Sequence, residues 1–594
     1  SLLAQMVLGK TGRVCRRQPS ALTYLSWGFF FIFNYMLYRF LFYFIIFFNI
    51  SLTFSQEIIA IDSLNLDVHR PYSITLNNIG DPVISLNILS NETDLLLTHY
   101  SKISREASYV DSYAQFQTDS IYSHVLYQNA YNSGGLLKTF LTRPIGKFLK
   151  LKFAYNHLTS QGFYANQDNK YSSLYFSFNH LSLEKPYSYK FSFFSNNGNY
   201  YNHGGVIYDS LLSLDLMNTY LNSSQTNIKN RLLDFQHNYN IRSDLKLKHI
   251  ILFEFFNRDY TDEDPSSFHY SLTPLYDSID KESDYAISSF YSRVHNSLSL
   301  STKHLNFQLN HNYYNTDNLI LNKIGDLDIV LSSTDAFRLE NNINFKINIC
   351  PLGYNQNNYI ADLGYYKKNK NVIYDFNFIL KSKKPHFLTQ HYNTSFSFDW
   401  DSFLPIRHMS FMLKSFFINS KISISSSLNH YTNYLYFNDF ASPVQLQDYM
   451  LYFNVILNKN WVLNNVYFRS NLLIQKTNND LVSIPDIILE QKIQYQYIIR
   501  NNIKILSSID FNIFSKYYVG SYFPLTDIFY LQLEEKRGMI PLVSANLEIC
   551  KDNFSIGCVF NNITMSLFEG EYLIKDYSLL PPTLQLFIKW QFLN

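Results

Sequence analysis

Apolar and polar residues alternate one for one over long runs of this chain. In FRLENNINFKINI, Phe337, Leu339, Ile343, Phe345, Ile347 and Ile349 take odd positions, and Arg338, Glu340, Asn342, Asn344, Lys346 and Asn348 take even ones. Successive side chains of a strand point to opposite faces, so this spacing predicts a strand with one apolar and one polar face. HLNFQLNHNYY repeats it, with Leu305, Phe307, Leu309 and Tyr313 against Asn306, Gln308, Asn310 and Asn312. FLKLKFAYN sets Leu149, Leu151, Phe153 and Tyr155 against Lys150, Lys152 and Asn156, and SFSFDWD sets Phe396, Phe398 and Trp400 against Ser397, Asp399 and Asp401. YSSLYFSFNH, YSYKFSFF, KLKHIILFEFF, LEQKIQYQYIIR and LQLFIKWQF follow the same rule, and no stretch of helical period competes with it after residue 60.

Such runs suit a soluble sandwich, whose apolar faces meet in a core, or a membrane barrel, whose apolar face meets lipid. Three features favour the barrel. The runs match the roughly 9 to 11 residues that a tilted strand needs to cross a bilayer. Their polar faces carry Lys150, Lys152, Lys190, Lys246, Lys248, Arg338, Glu340, Lys346, Asp399, Asp401, Lys492, Arg500 and Lys589, all expected to face a lumen. Short turns and long polar connections alternate, as they do on opposite sides of a membrane. The reading is therefore an all-β chain folded as a transmembrane antiparallel β-barrel. Allowing about 30 residues per strand with its connection predicts roughly 14 to 18 strands, in an even number. In the closing LQLFIKWQFLN, Leu584, Leu586, Ile588, Trp590 and Phe592 form an apolar face, as in the last strand of many outer-membrane barrels.

The first 55 residues break the pattern. Reading from Met36, Arg39 supplies a basic start, Phe40 to Leu52 an apolar stretch, and Thr53 and Ser55 the small residues before a cut ahead of Gln56. The expectation is a cleaved signal peptide at 36–55 preceded by an upstream leader at 1–35. The alternative joins Leu22 to Tyr35 to the same run as a retained helical anchor. Residues 56–120 then form a periplasmic or lumen-associated segment ahead of a barrel at 121–594.

Composition changes little. Phe (51) and Tyr (49) are abundant, but both use AT-rich codons, so base composition alone could inflate them. A net charge of +2 over 594 residues gives no sign of a nucleic-acid surface. Cys350, Cys550 and Cys558 are too few for a disulfide framework.

Candidate chemistry is sparse. Asp259, Asp262, Glu263 and Asp264 cluster in RDYTDEDPSSFHY but lack the spaced ligands and glycine of a calcium loop, so the segment reads as a solvated outer loop without a metal. His304 and His311 would stand more than about 20 Å apart on a strand, too far to share an ion. NHGG at 202–205 reads as a tight turn, because no strand-to-helix phosphate loop surrounds it. No cofactor is expected. Ser and His are so numerous that no catalytic group stands out, and the chain reads as a non-enzyme.

From residue 121 the chain resembles the putative porin family of Bacteroidota. Gly162, Phe163, Tyr164 and Gln167 match its Gly-Phe-Tyr-x-x-Gln-like loop, and Asn202, Gly204 and Gly205 match its Asn-rich segment ending in Gly-Gly. LNNIGDPVISLNI (76–88) is similar to its Leu-Gly-Asn-x-Gly opening, with Asn77 in place of the first glycine. The resemblance implies an outer-membrane barrel with a transport role and supplies no catalytic residues.

The expected function is a porin-like channel in the outer membrane of a Gram-negative bacterium, passing small hydrophilic solutes by diffusion. Inward basic residues outnumber acidic ones, so a weak anion preference is expected. The alternative is a barrel plugged by its own loops, such as 257–286 and 315–334, or by a Tyr-filled lumen (Tyr175, Tyr495, Tyr497), acting as a surface receptor or assembly subunit. A 22-stranded siderophore or vitamin receptor is disfavoured, because too little chain precedes residue 121 for its plug. Expected partners are outer-membrane lipid, the barrel insertion machinery and the solutes, with no nucleic acid. Self-association as a homo-oligomer stays open.

Overall fold

The computed structural model describes residues 72–91, 120–180, 186–209, 216–263, 285–316, 323–386, 391–392, 398–399, 403–499, 503–568 and 570–593. The leader at 1–35, the signal segment at 36–55 and its anchor alternative lie outside these residues. From Tyr122 the chain is a closed antiparallel barrel of 22 strands. It closes where Tyr122–Asn129 pairs with Thr583–Leu593, Tyr122 opposite Leu593. The register keeps like faces together. Leu298 stands opposite Leu309 on one face, and Ser297 opposite Asn310 on the other.

The count exceeds the 14 to 18 expected. At one end the connections run from two to nine residues, with two-residue turns at 243–244, 464–465 and 552–553. Asn464 and Asp552 adopt left-handed backbone (φ 52° and 51°), which Asn and Asp tolerate with little strain. Chain saved in these hairpins becomes additional strands. Connections at the other end include 202–224, 384–405, 433–449, 515–541 and 562–582. The first and last barrel strands begin and finish at the short-turn end.

The outward face is apolar. Leu584, Leu586, Ile588, Trp590 and Phe592 are all exposed, while Phe587 between them is buried. In water a band of this kind around the whole barrel would be untenable; against hydrocarbon it is what holds the barrel in place. Closure pairs every strand edge, so no backbone edge meets lipid.

Three local expectations are corrected. Residues Asp335–Asn341 form a short helix, with Asp335 in its first turn and Asn342 left-handed at its end (φ 57°). The preceding strand stops at Ser333, so residues before Ile343 have no ladder partner and coil instead of pairing. Arg338 and Glu340 therefore stand in a connection at the short-turn end, where Glu340 pairs with Lys303 of the adjacent turn at 2.9 Å. SFSFDWD is not a wall strand either. Phe398–Asp399 pairs only with His391–Tyr392 inside the 384–405 connection, and the wall runs directly from Val372–Lys383 to Ile406–Phe417. Asp399 thus leaves the barrel wall, and Asp401 and Arg500 lie outside the described residues. The stretch read as a loop at 315–334 is mostly strand, in Leu305–Thr316 and Lys323–Ser333, and the ends of the stretch at 257–286 belong to Leu245–Asp262 and Tyr285–Ser301, while 264–284 lie outside the described residues. Asp259 and Asp262 are strand residues, and Asp262 is fully buried, accepting a hydrogen bond from Ser223 Oγ at 2.5 Å. Asp264 lies outside the described residues.

Candidate transport lumen and its closure

The strand period divides the wall into two sets. On Leu149–Ser160, Lys150 and Lys152 share a face with Ser160, whose hydroxyl donates to Asn78 Oδ1 at 2.6 Å inside the barrel. Cross-strand register carries this inner face around the barrel to Lys190, then to Lys246 and Lys248, and separately to Lys346, Lys492 and Lys589. Lys492 pairs with Asp510 at 3.2 Å and Lys589 with Glu548 at 3.3 Å. Tyr175 lies inward and buried. Tyr495 and Tyr497 alternate with Gln494 and Gln496 and are exposed on the outward face, so they do not fill the lumen.

The long-loop end is crossed from within by residues 72–91. Ser73–Thr75 pairs with Val83–Ser85 to make a small hairpin. Its turn needs left-handed backbone at Asn77 (φ 85°) and Gly80 (φ 92°), a conformation that Asn adopts more readily than other side-chain-bearing residues. The turn is braced locally, since Asn78 N donates to Asp81 Oδ2 at 2.9 Å. One side of the segment is tied to the strands and loop around 160–169: Asn78 Nδ2 donates to Gln167 O at 2.6 Å, and Asn169 Nδ2 donates to Ile79 O at 3.0 Å and Asp81 Oδ1 at 2.6 Å. The other side is tied to strands at 450–490. Tyr72 N donates to Glu490 Oε1 at 2.7 Å, Gln475 Nε2 to Leu86 O at 2.8 Å, and Tyr452 OH to Asn87 Oδ1 at 3.1 Å. A twenty-residue stretch bonded to well-separated parts of a closed wall spans the space between them.

Apolar packing completes the closure. Tyr72, Ile74, Leu76 and Leu86 are buried against Leu473 and Ile488 of the wall and against Tyr517, Val519, Tyr522, Leu573 and Tyr577 of the long connections. Ile88 packs with Tyr431, Tyr434, Met450 and Tyr452. The long connections are tied to the wall and to the segment as well: Arg258, fully buried on the wall, donates from Nη2 to Pro524 O at 2.8 Å, and Asn77 Nδ2 donates to Ser578 O at 2.8 Å.

The motif residues singled out in the sequence meet here. Gln167 is buried, with its Oε1 accepting from Phe163 N at 2.8 Å and Tyr164 N at 3.2 Å. Gly205 has φ 115°, and a Cβ there would stand 2.8 Å from Asp576 Cβ, so a side chain is excluded both by backbone and by space. Val206 N donates to Asp576 O at 2.7 Å, and His203 Nδ1 accepts from Gly205 N at 3.1 Å. Burial pushes the His203 pKa down to about 4, so the ring is neutral at physiological pH. NHGG is a packed contact between connections and more than a turn. Glu490, Gln475, Tyr452 and Arg258, which anchor the closure, had no distinguishing sequence signal, each being one polar residue in an alternating strand.

Comparison with known proteins agrees with this architecture. The family model described as a putative porin matches residues 65–594. No curated protein matches the chain in sequence. Among solved structures, the ferric preacinetobactin receptor of Acinetobacter baumannii is similar with a TM-score of 0.53 at 9% identity, over 80% of this chain and 80% of that one. The ferric-catecholate import receptor of E. coli K12 gives 0.54 at 12% over 80% and 82%, and the FrpB iron transporter of Neisseria meningitidis 0.56 at 8% over 81% and 83%. At these identities the likeness shows a shared fold, that of large outer-membrane barrels.

Proposed function

The chain belongs to the putative porin family, and we propose that it is an outer-membrane transport barrel of a Gram-negative bacterium that residues 72–91 keep shut until they are displaced. The supporting observation is the attachment of that segment to separated parts of the wall at the long-loop end. In this reading the long loops face outward, lipid covers the apolar band, and the insertion machinery recognises the terminal strand. Lys150, Lys152, Lys190, Lys246, Lys248, Lys346, Lys492 and Lys589 face the route of a small hydrophilic solute, whose hydration the polar wall partly replaces. Nothing in the reading requires catalysis. Barrels of 22 strands are the size class that carries a plugged lumen.

A second reading, steady passive diffusion, is favoured by one observation: the polar, charge-bearing inner face continues from the closure to the short-turn end. Single-channel recording in planar bilayers separates the two. With Gln56–Asn594, the closed reading expects rare, brief openings, and removal of residues 72–91 converts them to long-lived steps. Long-lived steps of equal size from both proteins would establish the open pore instead.

A further inference from the structure

Five lysines of the inner wall lie together, away from the closure. Lys150 and Lys152 stand on Leu149–Ser160, Lys190 on Tyr187–Tyr201, and Lys246 and Lys248 on Leu245–Asp262. The register places them near one level of the barrel. Lys150 is opposite Asn179, which is opposite Lys190; Lys190 is opposite Gln236; Lys248 and Lys246 are opposite Asn238 and Asn240. The lysine-bearing strands alternate with two strands that present Ser177 and Asn179, and Gln236, Asn238 and Asn240, at this level.

Adjacent strands are about 4.8 Å apart, so neighbouring lysine-bearing strands are separated by roughly 10 Å and the patch spans roughly 20 Å. That spacing is close to the screening length of about 8 Å at physiological salt, so the fields of neighbouring lysines still overlap. The nearest inner-face carboxylate on these strands, Asp234, accepts hydrogen bonds from Ser192 Oγ at 3.2 Å and Gln236 Nε2 at 2.8 Å. Lys190, Lys246 and Lys248 make no ion pair among the described residues. Lys190 and Lys248 are partly exposed and Lys246 is exposed. On Leu245–Asp262 the inner-face carboxylates Glu254 and Asp262 are buried toward the closure, and the inner-face carboxylates near the short turns on other strands, Glu548 and Asp375, lie against Lys589 and Arg338. The sector of the inner wall that holds the five lysines is thus basic near the short turns.

We propose that this patch is a binding site for a small multivalent anion bearing phosphate or carboxylate groups, reached from the short-turn end. Ammonium groups supply the charge, and the interleaved amides of Asn179, Gln236, Asn238 and Asn240 supply directional donors between them. A monovalent anion could engage only one lysine-bearing strand; a multivalent one bridges two. The inference rests on the transport reading only for the lumen being reachable, and its measurement needs no transport.

The test is calorimetric titration of the full chain in detergent with sodium tripolyphosphate and, separately, with citrate. Binding is expected at low salt and at least tenfold weaker in 0.5 M NaCl. The variant K190Q/K246Q/K248Q, checked for folding by its mobility on unheated gels, is expected to bind at least tenfold more weakly. The single variant K246Q, at an exposed position, should lose two- to threefold, and K381Q/K383Q near the long-loop end should stay within twofold of the parent. Binding to only one probe would tell phosphate from carboxylate as the preferred group. Absence of binding to either, or equal losses in both multiple variants, would overturn the proposal. Channel recordings judge the closure independently of either result.

Discussion

Asn78 shows how much a single side chain does in this molecule. Its amide donates to Gln167 O, its oxygen accepts from Ser160, and its backbone N–H donates to Asp81. Asn78→Ala leaves buried partners without their bonds, each costing about 1–3 kcal/mol. The expected outcome is faster protease cleavage within 72–91 in folded protein, read by gel, with the barrel itself still resistant. His203 makes a second prediction at this scale. Its folded pKa lies below its unfolded value, so its contribution is complete above about pH 6.5 and is lost as pH falls toward 4. Between pH 7.5 and pH 5 the loss is roughly 2 kcal/mol for the loop packing. Protease sensitivity of 202–224 should therefore rise at pH 5, and His203→Gln should flatten that dependence.

A strand's two faces answer to different solvents. Ile588 sits mid-strand on the outward face, and its neighbour Lys589 faces inward to Glu548. Ile588→Arg should cost about 2–4 kcal/mol in urea unfolding from lipid vesicles, as a cation placed in hydrocarbon. Lys589→Gln removes only a partly solvated ion pair and should cost less than about 1 kcal/mol in the same assay. Equal effects would mean that the register around Thr583–Leu593 is shifted by one residue, since such a slip exchanges every side chain between faces.

In the proposed reading the closing element is the segment 72–91, held to separated parts of the wall by its own hydrogen bonds, so opening needs those contacts to break and no wall strand to move. A disulfide between cysteines at positions 78 and 160, whose side chains are in hydrogen-bond contact, should hold the closed state. The expected outcome for N78C/S160C is silence in bilayer recordings under oxidising conditions and brief openings after reduction. Openings unaffected by oxidation would place the gate elsewhere.

What the sequence by itself determined was the solvent of each face. Alternation is a local property, so Leu149–Ser160 and Thr583–Leu593 could be assigned as wall strands, and their lysines to one face, without knowing any neighbour. The same local signal misled where pairing was absent: SFSFDWD alternates as well as any wall strand, yet no barrel neighbour takes it up, and Phe337 to Asn341 coil once the adjacent strand has stopped. Strand number depended on how tightly hairpins turn, which a period of two does not encode. The closure was legible only as a resemblance in LNNIGDP. Its decisive bond joins Tyr72 to Glu490, 418 positions apart. Tertiary structure decided it because filling a lumen requires partners from several walls at once, and each of those partners is, in its own strand, an ordinary inward polar residue.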